Sequence, residues 1–556
     1  MAASTTKQFP GFGLPIDHEG QGLDTFPLAI GAMPWTSNGV TLRERRMLEF
    51  INKITDKPNW EAKVFDEDIV CRWRAEADVR PEGLEGDVLL SRQMFDFCIA
   101  ELRDKTEHLK QTGNIRVFDS ELTVVKSDCA ISKELQDELR AGVRPLENVP
   151  DHEKDWHPHQ EDKVLDLVHP SLFPVVWGLT RVVEEGTVPL DNCVASTGKG
   201  SVIPPYIPEP LSPTDRWNSD PPRLWGSFQW MPAQVELAAD GSAKITSYIN
   251  NLHPVEHKAL YSTLERIVSA TIPLWDDTLS GFVDSRRINL SNTGTEDYTF
   301  PPGVKYHIPG REGPWSVWDP ITKQYDDAGG GVDGDDKNKN NNAWEWEEDF
   351  YDWKRNNRVL VHREPREYIP QAELPAQHKS TVSLRDDFPD GLQVIFKLAN
   401  IHLTPETPMY EGGSWHVEGT LNEMICASAI YYYDQDNITD SHLAFRQALN
   451  TEELMMVPEQ FEYHSLEKFL GVEQEGSAVQ DLGQVLTSEG RLLVFPNCLQ
   501  HQVGPFELQD KTRPGHRKIL AMFLVNPYRP ILSSAHVPPQ RRDWWAHETT
   551  FYFCEH

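Results

Sequence analysis

The chain has 556 residues, with 53 lysines and arginines against 86 acidic residues and a formal net charge of -33 at neutral pH. That length predicts two to four domains, or one elaborated catalytic core with large additions. The charge argues against a generic nucleic-acid binder, which needs a basic face, and disfavours docking on anionic lipid. Aromatic residues make up 10% of the chain, enough to bury a substantial core. Seven cysteines (Cys71, Cys98, Cys129, Cys193, Cys426, Cys498 and Cys554) are scattered without a Cys-x-x-Cys pair, which fits free thiols in a reducing compartment better than a disulfide framework. The first residues lack a signal-peptide apolar stretch, and no apolar run is long enough to span a bilayer, so the expectation is a soluble cytoplasmic protein.

Residues 1–225 read as a mainly helical region ending in a proline-rich connection. Met47, Phe50, Ile51 and Ile54 recur at helical spacing, Met94 to Leu102 supports another helix, and Lys133 to Leu139 a third. Prolines then punctuate a loop-rich stretch from Pro145 and a denser extended one from Pro204 to Pro222. Residues 226–325 contribute a hairpin and a helix: Trp230–Leu237 and Ala243–Ile249 flank an Asp240-Gly241 turn, and Pro254 opens a helix through about Ser269. Residues 326–356 read as a flexible acidic insertion rich in Asn and Gly, with Trp344–Trp353 either a short helix or a lid. From residue 357 strands dominate: Leu392–Leu398, Ile425–Tyr433, Arg491–Phe495 and Lys518–Val525 predict a sandwich or barrel.

His416 and Glu418, in Ser414-Trp415-His416-Val417-Glu418-Gly419, stand two apart, a spacing that on a strand turns both to one face. His501 follows far downstream, and Arg517 opens the apolar run to Val525. Two imidazoles and a carboxylate are the ligand set of a facial iron(II) site with open positions, and an arginine behind it holds a carboxylate bidentately. Gly412-Gly413 and Gly419 leave room for close backbone approach. His-x-Glu recurs at His159-Gln160-Glu161, preceded by His157, and at His362-Arg363-Glu364. These two read as a proline-broken polar loop and a charged surface segment. His416 and His501 as plain strand histidines is the bland alternative.

The segment His416-Val417-Glu418 leading to Ile430-Tyr431-Tyr432-Tyr433 resembles the iron-binding strand pair of prolyl hydroxylases that use iron(II) and 2-oxoglutarate. The acidic ligand is Glu here, as in many jumonji-type oxygenases. This resemblance implies an α+β protein with a double-stranded β-helix (jelly-roll, cupin-like) catalytic core over 357–556. It implies iron held by His416, Glu418 and His501, with 2-oxoglutarate on Arg517 and Tyr432 and dioxygen as co-substrate. The outcome implied is hydroxylation of an unactivated C–H bond, although desaturation, ring formation or demethylation would need the same site; the substrate is left open among a small metabolite, an amino acid and a protein side chain, with a small molecule favoured. Arg513 rivals Arg517 because the hairpin turn before Arg517 is long, and Lys397 is a further 2-oxoglutarate candidate. Almost the whole chain also resembles a family of large fungal proteins defined only as a domain of unknown function, carried by Ile245–Pro254, Gly413–Glu418, Ile430–Asp434 and Pro514–Lys518. Asn422 and Glu423 read as turn residues, Asn250, Asn251 and His253 as helix-entry caps, Trp225–Pro232 as core packing, and Trp415 as pocket wall or core. The rival functions are a cupin-like metal-binding scaffold without turnover and a non-haem iron dioxygenase that needs no 2-oxoglutarate.

Overall fold

Tyr431, Tyr432 and Tyr433 are consecutive and all buried, yet Tyr431 and Tyr433 join one core cluster and Tyr432 another. Successive side chains of a strand point to opposite faces, so this strand is covered on both sides. That is why it reads as an unbroken apolar run. In the computed structural model the described residues are 8–18, 22, 25–30, 34–77, 88–158, 162–206, 225–280, 285–290, 297–308, 316–325, 343–374, 382–455 and 463–546.

The helices are α1 (Leu42–Thr55), α2 (Glu67–Ala77), α3 (Arg92–Thr112), α4 (Lys133–Glu147), α5 (Lys258–Leu279) and α6 (Ala343–Asn357), besides shorter turns. Thr41, Ser91 and Ser132 cap α1, α3 and α4 by accepting a backbone N–H of the first turn. The expected third helix runs on through Pro145. α5 continues past Ser269 through Pro273, and the Ser269 carbonyl that this proline leaves free receives the Arg385 guanidinium at 3.5 Å. The Trp344–Trp353 run lies in helix α6, where Trp353 stacks on Phe300 with ring centroids 5.4 Å apart. The 326–342 stretch and the proline-rich stretch from 207 to 222 lie outside the described residues.

The strands that build the site region are β1 (Ile115–Val117), β2 (Val124–Ser127), β3 (Asp155–Trp156), β4 (Val164–Val168), β5 (Ala233–Leu237), β6 (Ala243–Ile245), β7 (Leu392–Leu403), β8 (Met409–Tyr410), β9 (Ile425–Asp436), β10 (His442–Ala448), β11 (Val479–Leu486), β12 (Leu492–Pro496), β13 (Gln500–Val503), β14 (Phe506–Glu507) and β15 (Gly515–Val525). A ten-stranded antiparallel sheet runs β6-β5-β7-β15-β9-β12-β2-β1, with β4 also beside β7 and β3 beside β4. A smaller sheet has the order β11-β10-β13, and β8 pairs with β14. The protein is thus mixed α and β around one large antiparallel sheet. The sequence predicts helix and loop over 115–168, whereas β1, β2 and β4 are strands of this sheet. Strands of three to five residues carry too few alternations to show a period.

One face of the large sheet (Ile395, Ile430, Tyr432, Phe495, Ala521 and Phe523) packs against Leu443, Phe445, Leu482 and Val485 of the small sheet. Burial of aromatic and aliphatic side chains on that scale, about 25 cal/mol per Å² of apolar surface, holds the two sheets together. The other face packs under α5 and α4, where Leu260, Leu264, Ile267, Trp275, Leu135 and Leu139 lie on Phe396, Tyr431, Val494 and Met522. Among the described residues no helix is long and apolar enough to cross a membrane. The six described cysteines are free.

Candidate metal centre

His416 meets His501 in a single antiparallel bridge. The two residues exchange both backbone bonds, His416 N–H to His501 O at 3.1 Å and His501 N–H to His416 O at 2.9 Å. Directly opposite residues of such a pair project to the same face, and the two imidazole centroids stand 4.3 Å apart. His501 is held from behind by Phe495, ring to ring at 4.8 Å. Gly412, at φ +96°, allows the chain before His416 to press on the Val503 carbonyl, where a Cβ would come within 2.9 Å. Close backbone approach is therefore what this glycine permits.

The sequence places His416 and Glu418 on one strand, but the strand is reduced to the single bridge, and the chain bends after Val417. Asn497 does what strand pairing would have done. Its Oδ1 accepts the Glu418 N–H at 2.9 Å, and its Nδ2 donates to the Glu418 carbonyl at 2.8 Å and to the Ile425 carbonyl at 3.1 Å. Glu418 Oε1 consequently lies 3.3 Å from His501 Nε2 and 3.8 Å from His416 Nε2. One donor atom from each of the three residues lies within 4.8 Å of the others.

Burial would raise the Glu418 carboxyl, but the two imidazoles outweigh it and hold the group far below the usual carboxylate range. Burial also pushes His416 down. Glu418, by hydrogen bond and charge, and the Ser414 carbonyl more than offset this, so His416 ends above its ordinary value. His501 is deeper, and there burial wins over Glu418. His416 Nδ1 sits 2.8 Å from the Ser414 carbonyl, which fixes the proton there and leaves the Nε2 lone pair facing Glu418.

These residues fit a divalent transition metal. With bonds of about 2.1 Å at right angles, neighbouring donor atoms stand about 3 Å apart, close to the observed 3.3 and 3.8 Å. His416 is the solvent-facing member of the three, its side chain 44% exposed against 2% for His501.

Arg517, on β15, shares a face with Ile519, Ala521 and Phe523 and so points between the two sheets. It is 2% exposed and has no carboxylate partner among the described residues. Its Nη1 donates to the Ser441 hydroxyl, and its guanidinium lies 4.6 Å from the Tyr432 ring centroid and 5.5 Å from that of Phe506. Among the described residues its Nε makes no hydrogen bond, and the buried Tyr432 hydroxyl faces the guanidinium alone. Burial draws the Arg517 pKa below its ordinary value, with Tyr432 and Tyr410 opposing.

Arg513 is a half-exposed turn residue paired with Asp436 at 2.5 Å. Lys397 lies on β7, and its charge pushes His416 down. Asn422 donates to the Gly226 and Phe228 carbonyls at 2.8 and 3.0 Å, and Glu423 accepts the Trp230 N–H at 2.7 Å, so both are structural. Trp230 stacks on Phe523 at 5.9 Å as core packing. Trp415 stacks under the Arg446 guanidinium at 4.5 Å, next to the ligand. Asn250 and Asn251 pin the 169–173 loop through its carbonyls instead of capping a helix. Glu364 pairs with Arg43 at 2.6 Å, as a surface segment would. His159 and Glu161 lie outside the described residues, but His157 is in a second cluster that the sequence did not reveal, with Asp166 and His169.

Residues 92–548 match the family described as protein of unknown function (DUF4246), and residues 9–76 match the domain of unknown function DUF4246, N-terminal. The chain belongs to this family. No curated protein matches it. Among solved structures, the Fe(II)/(alpha)ketoglutarate-dependent dioxygenase TqaL is similar at 14% identity and a TM-score of 0.17, over 26% of this chain and 45% of that one. A Pseudomonas putida prolyl-4-hydroxylase is similar at 15% identity and a TM-score of 0.15, over 26% of this chain and 61% of its own. The non-heme monooxygenase ThoJ in its Ni complex gives 14% identity and a TM-score of 0.16, over 31% and 68%. The chain thus spans about half the length of the first two. Likeness at this level is too partial to bear on chemistry, and the functional reading rests on the residues themselves.

Proposed function

We propose that this protein is an iron(II)- and 2-oxoglutarate-dependent dioxygenase that hydroxylates an unactivated C–H bond of a small organic substrate, in a double-stranded β-helix core. The strand order supports the fold. Strands β7-β15-β9-β12 form one wall. The β8 and His416 segment, β14 and β13, β10 and β11 succeed one another across the facing one.

The observation that carries the reading is Arg517. A guanidinium taken out of water costs several kcal/mol unless an anion accompanies it, and here the described residues supply only hydroxyls and aromatic faces. A bidentate carboxylate from a co-substrate supplies the missing charge and meets the unpaired Nε and Tyr432 hydroxyl. His416, Glu418 and His501 would hold the ferrous ion through two imidazole nitrogens and one carboxylate oxygen. Ferrous iron with 2-oxoglutarate and dioxygen supplies the oxidising power for C–H hydroxylation. The protein's part is positional. Asn497 fixes the carboxylate ligand, and Ser414 fixes the tautomer of His416. Arg517 and Tyr432 orient the five-carbon diacid from the inner end. Phe495, Phe445 and Phe523 keep water from the space between the sheets. The acidic chain favours neutral or cationic substrates.

Anaerobic addition of iron(II) and 2-oxoglutarate tests this. A weak visible charge-transfer band that disappears in His416→Ala is the expected result, followed in air by succinate release. Folded protein with no band and no succinate overturns the proposal in favour of a binding scaffold.

A further inference from the structure

A second group of two histidines and a carboxylate lies outside the centre described above. His157 directly follows β3, Asp166 lies in β4, and His169 directly follows β4. One atom from each lies within 4.8 Å of the other two. His157 Nδ1 is 2.8 Å from Asp166 Oδ2, and the two imidazole centroids are 5.7 Å apart. The scaffold is held firmly. The His157 N–H donates to the Val164 carbonyl at 2.8 Å, and Asn251 Nδ2 donates to the carbonyls of His169 and Leu172 at 3.0 and 2.9 Å.

An ordinary His–Asp ion pair explains one oxygen of Asp166 and leaves two facts unexplained. Asp166 is only 5% exposed, yet among the described residues its buried Oδ1 has no hydrogen-bond partner. An unsatisfied buried acceptor costs about 1–3 kcal/mol, and more when charged. In addition, Asp155 is in register directly opposite Asp166 across the strand pair, and like charges so placed repel. A cation at Asp166 satisfies the orphaned oxygen and relieves the repulsion at once.

We propose that His157, Asp166 and His169 form a second metal site, for a divalent first-row ion of the zinc type, independent of the His416 centre. Two imidazoles and one carboxylate suit that class of ion better than magnesium or calcium, which favour all-oxygen cages. The His157 side chain is 36% exposed and that of Asp166 2%, so the ion sits on a buried carboxylate with its outer side toward solvent. Three protein donors and an open side are the pattern of a site that keeps water or a ligand on the metal, in contrast to a closed structural site.

Zinc(II) bound to the full-length, chelator-stripped protein, counted after dialysis, tests this. Wild type should retain two equivalents. Asp166→Asn and His157→Gln should each retain one, and His416→Ala should also retain one, the other. The half-exposed position of His157 guards against a misfolded Asp166 variant. Two equivalents retained by both Asp166→Asn and His157→Gln would overturn the second site. A single wild-type equivalent that survives His416→Ala and is lost in Asp166→Asn would uphold it while removing the His416 centre.

Discussion

Asn497 grips Glu418 by both ends of one residue, accepting from its N–H at 2.9 Å and donating to its carbonyl at 2.8 Å. The clamp substitutes for a strand partner at the point where the chain bends away from the sheet. Asn497→Ala leaves both Glu418 groups without their partner in a largely buried place. We expect a loss of about 1–3 kcal/mol in denaturant unfolding and roughly 10–100-fold weaker metal binding. Calorimetric titration with manganese(II) or cobalt(II) checks the second figure. Unchanged affinity would mean that Glu418 is not a ligand.

Arg517 gives a prediction of opposite signs. Arg517→Met removes an unaccompanied buried charge and keeps the volume, so the ligand-free protein should melt at the same temperature or higher. The same variant should lose the stabilisation that 2-oxoglutarate gives wild type, which at one hundred times Kd is about 2.7 kcal/mol. Thermal melts with and without the diacid read both effects. A wild-type protein indifferent to 2-oxoglutarate but active with iron would point to an oxygenase that does without it.

Tyr432→Phe removes one buried hydroxyl beside Arg517 and no packing. Its expected cost is about 0.5–1.5 kcal/mol in 2-oxoglutarate binding, seen as a raised KM for the diacid with kcat and melting temperature little changed.

Acidity acts on the metal-free centre through two groups of opposite sign. The His416 pKa is raised from 6.5, so its contribution to stability is fully present below that value and fades as pH rises through the higher folded one. The Glu418 pKa is lowered from 4.5, so its contribution is present above that value and is lost only as pH falls through the lower folded one. A metal must displace the His416 proton, so affinity should fall as the solution is acidified through the His416 pKa, and binding there should release about one proton. Calorimetry in buffers of different ionisation heat measures the release, which His416→Gln should abolish.

Much of this was legible in the sequence. The long strands announced themselves because both of their faces are apolar, and His416, Glu418, His501 and Arg517 were readable as a spaced set, to which only the family resemblance added Tyr432. The meeting of His416, Glu418 and His501 depends on the bridge at His501 and on Asn497, and neither leaves a local pattern. Asp166 was hidden for a similar reason: it sits alone in a five-residue strand, and its partners are fixed by the pairing of β3 with β4. Asn251 gave no warning of its task, since its side chain reaches a loop some eighty residues earlier.

The large sheet takes β2 against β12 on one side and β4 against β7 on the other, and both strands come from the first third of the chain. Trimming the protein to its last two hundred residues would therefore expose raw hydrogen-bonding edges on both flanks of the very wall that carries Arg517 and Tyr432. Such a fragment is a recipe for sticky, self-associating material. Any transplant of this centre into a smaller scaffold has to bring those early strands along.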